Sequence, residues 1–149
     1  LTAVANANRQ WALTHPVDYQ LIYGNPIPNY EQPTDKTYPA ARRSFLVTAG
    51  LFVEAMENDE IDLPSKYSEL PTAIEESVQQ LTQVDGHDLP TPALYLAATA
   101  WAKIHWHLML ELLNLIQPVI ADVDAYFAYE TRNFLQQTGL KFNDREESK

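Results

Sequence analysis

Residues 91–117 read TPALYLAATAWAKIHWHLMLELLNLIQ. Trp101, His105, Leu108 and Leu112 recur at helical spacing and form one stripe, while Ile104, Trp106, Met109, Leu113 and Ile116 cover much of the remaining circumference. Polar side chains are confined to a narrow strip of Thr99, Lys103, His107 and Glu111. A helix that is apolar over most of its girth is buried on several sides. Charges within the run make a membrane span expensive. The stretch therefore reads as a buried helix over roughly Pro92–Gln117, with Thr91 as its N-cap and Pro118 ending it.

Five further helices flank this one, and proline punctuates several of them. Pro16, Pro39, Pro71 and Pro92 each precede a helical pattern, where a proline loses nothing because its missing N–H is an orphan there anyway. The first helix spans roughly Leu1–Thr14, with Val4, Ala7 and Trp11 on one face. The second runs over His15–Tyr23 and stops at Gly24. The third, Pro39–Asn58, sets Phe45, Ala49, Phe52 and Met56 in a single stripe. The fourth is Pro71–Gln83, with Ile74, Val78 and Leu81. The last is Asp122–Thr138, with Val123, Phe127 and Phe134 on one face and Tyr126 and Tyr129 elsewhere. Its end has the residues of a Schellman motif: Gly139 at C′, and Leu140 at C″ facing Leu135 at C3.

Pro26, Pro28 and Pro33 mark a loop with Asn25 and Asn29, and Asp85–Gly86 marks a turn. No segment alternates with period two and no hairpin signal is present. The fold class is all-α, a bundle of about six helices.

A chain of 149 residues is one domain and can bury about two-thirds of its unfolded surface in a single core. Residues 1–140 form that domain, and residues 141–149 form a charged tail. The net charge of −10 repels phosphate backbones, so these residues should not bind nucleic acid themselves. Arg42 and Arg43 are the one adjacent basic pair, diluted by Asp35 and Glu54. Cysteine is absent, which excludes disulfides and thiolate metal sites. Leu1–Gln10 lack the basic start and apolar core of a secretory leader. A cytoplasmic location without membrane attachment is expected.

One domain of this size seldom surrounds two such apolar helices alone. A second copy is the natural cover, since symmetric dimers are the commonest oligomers. Met109, Leu113, Ile116, Tyr126, Tyr129 and Asn133 are expected at that interface.

The run from Arg9 to Pro26, RQWALTHPVDYQLIYGNP, resembles the start of the regulatory domain of tetracycline-repressor (TetR) family regulators. It is closest to the branch named for a Trp-His-Gly signature, whose aromatic-Ala-x-x-His-Pro-x-x-Tyr run leads to a Pro-rich loop ending near a Tyr, here Tyr30. Ala100–His105 and Leu110–Leu112 resemble that branch's signature helix, and Phe127–Gly139 its last helix. The signature glycine after the His is Trp106 here.

The resemblance implies a C-terminal ligand-binding and dimerisation domain. The last two helices of each subunit would form a dimeric four-helix bundle, and a small ligand would enter among the middle helices. DNA would be bound only through an N-terminal helix-turn-helix head, and these residues are expected to be the sensor half alone. The expected role is effector sensing in a transcriptional regulator, most simply a repressor, with no enzyme activity and no cofactor.

The expected ligand site is Tyr19, Tyr23, Phe45, Phe52, Met56, Trp101 and His105. Aromatic rings with one polar tip each suit a small apolar or aromatic effector, although each ring is also an ordinary core residue. Two other readings stand beside this one. The first is a module that only dimerises around a filled core. The second is a metal-dependent enzyme: His107 and Glu111 lie one turn apart and could share a zinc ion. His105 is about 200° around the helix from His107 and cannot join them, leaving His15 and His87 as the other histidines. The His87–Asp88 pair lacks the further ligands a metallophosphohydrolase needs. Gly24, Gly50, Gly86 and Gly139 stand apart, so there is no phosphate-cradling loop. Neither metal nor catalytic residues are assigned.

Overall fold

The computed structural model describes residues 1–24, 34–85 and 89–142, the side chains of 34–41 and 81–85 excepted. Among the described residues there are seven helices: α1 (Thr2–Thr14), α2 (Pro16–Tyr23), α3 (Thr34–Glu57), α4 (Ser65–Ser68), α5 (Thr72–Asp85), α6 (Thr91–Leu112) and α7 (Val123–Gln137). No strand occurs among them; one isolated antiparallel bridge joins Ile61 to Leu140. The expected helices are present, and α4 is a single additional turn. The loop carrying Pro26, Pro28, Asn29, Tyr30 and Pro33 lies outside the described residues, as do Gly86, His87–Asp88 and the side chain of Leu81.

Helix α6 is the axis of the fold and touches α1, α3, α4, α5 and α7. Its first half is buried through Ala93, Leu94, Leu96, Ala97 and Ala100, against Ala49, Phe52 and Ala55 of α3 and Val78 of α5. Phe45 and Met56 pack on the same cluster, as the third-helix stripe predicts. The second half buries Leu108 with Ala5 and Ala12 of α1, Tyr19 of α2 and Phe127 of α7.

Four expectations are corrected. Helix α6 stops at Leu112 rather than Gln117. Asn114 takes a left-handed conformation (φ 55°), its N–H donates to the Glu111 carbonyl at 3.0 Å, and the Leu115 N–H donates to the Leu110 carbonyl at 2.9 Å. That is a Schellman ending with asparagine at C′, five residues ahead of the expected stop. Thr91 is the first helical residue; the N-cap is Pro90, which gives no side-chain hydrogen bond. Helix α3 begins at Thr34, so Pro39 lies inside it, past the first turn, and forgoes one backbone hydrogen bond. Finally, α1 buries Ala5 and Ala12, whereas Ala7 and Trp11 are exposed. Small side chains allow close approach to α6, and the larger Trp11 is left at the edge.

The end of α7 matches expectation. Gly139 has φ 89°, its N–H donates to the Gln136 carbonyl at 3.0 Å, and the Leu140 N–H donates to the Leu135 carbonyl at 3.2 Å. The chain then pairs with the segment after α3: the Asp62 N–H donates to the Gly139 carbonyl at 2.9 Å, and the Lys141 N–H to the Glu60 carbonyl at 2.8 Å. Phe142 packs on the core beyond it.

Candidate functional site

A half-open cavity of about 200 Å³ lies between α1, α6 and α7, with Thr48 of α3 also at its wall. Leu1, at the N-cap of α1, and Val4 and Ala5 of α1 form one wall. Ile104, Trp106, His107 and Leu110 of α6 form the second, and Tyr126, Phe127, Thr131, Phe134 and Leu135 of α7 the third, with Lys103 and Glu130 also among the lining residues. A dry apolar cavity of about 150 Å³ is enough for benzene. This one therefore has room for a one- or two-ring molecule.

His107 is one of the polar residues lining that space, with Thr48, Lys103, Glu130 and Thr131. Its ring stacks on Tyr126 at 5.2 Å and meets the edge of Phe127 at 5.0 Å. Its Nε2 atom is buried and has no hydrogen-bond partner among the described residues. Burial lowers its pKa, and Arg9 adds to that, against the pull of Glu111 and Glu130. A buried imidazole nitrogen without a partner carries a desolvation cost.

Beside the cavity, Arg9 ties α1 to both other walls. Its Nε donates to Glu111 Oε2 at 2.8 Å, and its Nη2 to Glu111 Oε1 at 2.6 Å and to Asp124 Oδ1 at 2.5 Å. The guanidinium lies 5.1 Å from the Phe127 ring centre. Those carboxylates hold the Arg9 pKa above its ordinary value despite burial. Both Glu111 oxygens are thus engaged by Arg9 rather than turned toward His107. Among the described residues no group of three or more metal-ligating side chains converges.

The expected ligand residues separate into two groups. Tyr19, Tyr23, Trp101 and His105 come together on another face of α6. The Tyr19 hydroxyl and His105 Nδ1 are hydrogen-bonded, and the His105 ring lies 4.2 Å from Tyr23 and 4.6 Å from Trp101. Burial pushes His105 down to about 4 and raises the Tyr19 hydroxyl. Phe45, Phe52 and Met56 belong instead to the α3–α6 core. None of these seven residues lines the α1–α6–α7 cavity. Sequence reasoning assigned His107 to a polar strip. The available signal was its position facing the Phe127–Phe134 stripe of α7.

Of the expected interface residues, Leu113 and Tyr129 are exposed, at 50% and 66%. Met109 packs inward beside Leu108, and Ile116 is buried within the chain and lines the cavity. Tyr126 lines the cavity too, and Asn133 is half-buried. Trp106, at the place of the signature glycine, is 69% exposed at the cavity's edge. It turns outward, so its bulk does not hold α6 and α7 apart.

The sequence has known relatives. The family described as tetracyclin repressor-like, C-terminal domain, matches residues 1–134. The chain belongs to that family. An HTH-type transcriptional regulator of Mycobacterium bovis and two of Mycobacterium tuberculosis are each 41% identical to it over 54 residues. That stretch is 36% of this chain and spans about a fifth of each relative's length (21%). TetR-family regulators act as dimers that bind DNA and small effectors. No helix among the described residues is long and apolar enough to cross a membrane.

Proposed function

We propose that residues 1–140 are the effector-sensing and dimerisation domain of a TetR-family transcriptional regulator, with residues 141–149 as a charged tail. A small, largely apolar or aromatic molecule carrying one hydrogen-bonding group occupies the α1–α6–α7 cavity. Its occupancy controls DNA binding by a helix-turn-helix head, as in a cytoplasmic repressor that releases its operator. The observation that carries this reading is the cavity of about 200 Å³, lined mostly by apolar side chains and with His107 among them. Family membership supports regulation over enzymatic activity.

Two features support signal transfer. Helix α1 forms a wall of the cavity, so a ligand that changes the spacing of α1 from α6 and α7 changes whatever α1 is joined to. Arg9 couples α1 to Glu111 and Asp124, so that movement is concerted with the other walls. The exposed faces of α6 and α7, with Leu113 and Tyr129, are the surface for pairing two copies.

The aromatic group of Tyr19, Tyr23, Trp101 and His105 is a second binding candidate, favoured by the partial exposure of Trp101. Thermal denaturation with a library of small apolar molecules tests the reading. A compound at about 100 times its Kd raises stability by about 2.7 kcal/mol. The expected shift is abolished by Thr131→Phe, which fills the cavity, and retained by Trp101→Ala. No shift across the library supports a module that only dimerises.

A further inference from the structure

We propose that the α1–α6–α7 cavity takes an aromatic amine as its ammonium ion, with the rings among the apolar walls and the charge held between Glu130 and the His107 Nε2 atom. The inference rests on the effector reading of that cavity and names the class of molecule that fills it.

Lys103 on α6 and Glu130 on α7 are the two lining residues that carry a full charge at neutral pH. They are not equivalent. Lys103 is exposed, so water screens its ammonium, whereas Glu130 is half-buried. No hydrogen bond or ion pair joins Glu130 to another described residue. Its carboxylate favours the charged form of His107, which places it within electrostatic reach of that ring. Tyr126 stacks on His107 and precedes Glu130 by one turn on the same face of α7. An ammonium has three N–H donors. One can go to Glu130 and another to the buried, unpartnered His107 Nε2, in the tautomer that leaves this nitrogen unprotonated.

The walls favour the same sign of charge. The face of an aromatic ring attracts a cation and repels an anion. Lys103 Nζ lies 5.4 Å from the Phe134 ring centre, and the Arg9 guanidinium 5.1 Å from that of Phe127. Two rings of the cavity wall thus already hold cations of the protein itself. The sequence carries a net charge of −10, so its field also draws cations inward. A carboxylate ligand would have Lys103 in its favour and Glu130, the ring faces and the net charge against it.

Isothermal titration calorimetry with three probes built on one naphthalene ring system tests the assignment. 1-Naphthylmethylamine is cationic at neutral pH, 1-naphthalenemethanol is uncharged and 1-naphthoate is anionic. Each is titrated into the wild-type chain and into Glu130→Gln, Lys103→Met and Thr131→Phe, whose fold is checked by circular dichroism.

The wild-type chain should bind the amine about tenfold more tightly than the alcohol, and the naphthoate most weakly. Glu130→Gln should bring the amine down to the alcohol and leave the alcohol unchanged. Lys103→Met should leave the amine as tight or tighter and weaken the naphthoate further. Thr131→Phe should lose all three. An alcohol or naphthoate that binds as tightly as the amine, or a preference for the amine that survives Glu130→Gln, overturns the ligand class and leaves the effector reading intact. Binding of none of the probes, or undiminished binding by Thr131→Phe, overturns the effector reading and this inference with it. If Glu130→Gln does not fold, the order of the three probes on the wild-type chain decides.

Discussion

Arg9 on α1 and Glu111 on α6, separated by 102 positions in the chain, form a two-pronged ion pair whose side chains are 15% and 7% exposed. The pair is strong because it is both hydrogen-bonded and largely removed from water. Removing one partner strands the other. Arg9→Ala leaves Glu111 buried without its counter-charge and should cost about 3 kcal/mol. Arg9→Met combined with Glu111→Leu should recover much of that loss. Urea denaturation of the two single variants and the double variant gives the coupling energy, expected at about 1–3 kcal/mol. Additive losses would show that the pair does not join α1 to α6.

Stability should fall as the solution is acidified through the histidine range. Burial holds His105 at about 4, against its ordinary value of 6.5. Between those values the unfolded chain takes up a proton that the folded chain refuses, so unfolding is favoured as pH falls. The stabilising contribution is complete above pH 6.5 and is progressively lost toward pH 4. His107, also lowered by burial, acts in the same direction. Thermal denaturation from pH 7.5 to pH 4.5 should therefore show a falling Tm at about the ordinary histidine pKa and below it. His105→Phe, which cannot protonate, should flatten that slope while lowering stability at neutral pH through the lost Tyr19 hydrogen bond. A Tm independent of pH in the wild-type protein would contradict the burial of both rings.

Gly139 cannot be replaced without cost. Its φ of 89° disfavours any L side chain, and a Cβ there would stand 1.9 Å from the Asp62 carbonyl oxygen. Gly139→Ala should destabilise by more than about 1 kcal/mol, the usual cost of forcing a left-handed conformation. Hydrogen exchange at the Asp62 and Lys141 amides should accelerate, since both are paired across this junction. A neutral Gly139→Ala would mean that the contact between the end of α7 and residues 60–62 is dispensable.

Phe52→Ala separates the core from the cavity. Phe52 is fully buried between α3 and α6, and its truncation should cost about 3–5 kcal/mol. It is absent from the cavity lining. Ligand affinity measured by calorimetry below the variant's lowered Tm should therefore stay within about threefold of wild type, a difference of under 1 kcal/mol. A large loss of affinity at unchanged fold would place the ligand against Phe52 rather than in the cavity.

Much of this architecture was legible in residues 91–117 and in the α3 stripe of Phe45, Ala49, Phe52 and Met56. There, large apolar side chains at helical spacing state which face is buried. The end of α7 was equally readable, because Gly139 and the Leu135–Leu140 pair form a local motif. The end of α6 was not, because Asn114 in a left-handed conformation looks like any polar residue within a helix until its neighbours' hydrogen bonds are seen. The buried face of α1 was misread because contact there is made by Ala5, Ala12 and Arg9, which carry no hydrophobic signal of the usual size. The cavity was hidden for a related reason. A space is defined by what three helices fail to fill together, and spacing along one helix reports only what that helix offers. His107 became informative once Tyr126 and Phe127 were seen to enclose it without bonding to its Nε2.

The location of a bound effector tests the central claim most directly. For a compound that raises the Tm, intermolecular nuclear Overhauser effects to ring protons of the isotope-labelled chain locate it at residue level. The account predicts contacts to His107, Tyr126 and Phe134, with the His107 Nε2 resonance shifted by a new hydrogen bond. Contacts confined to Trp101, Tyr23 and His105, with His107 unmoved, would contradict it.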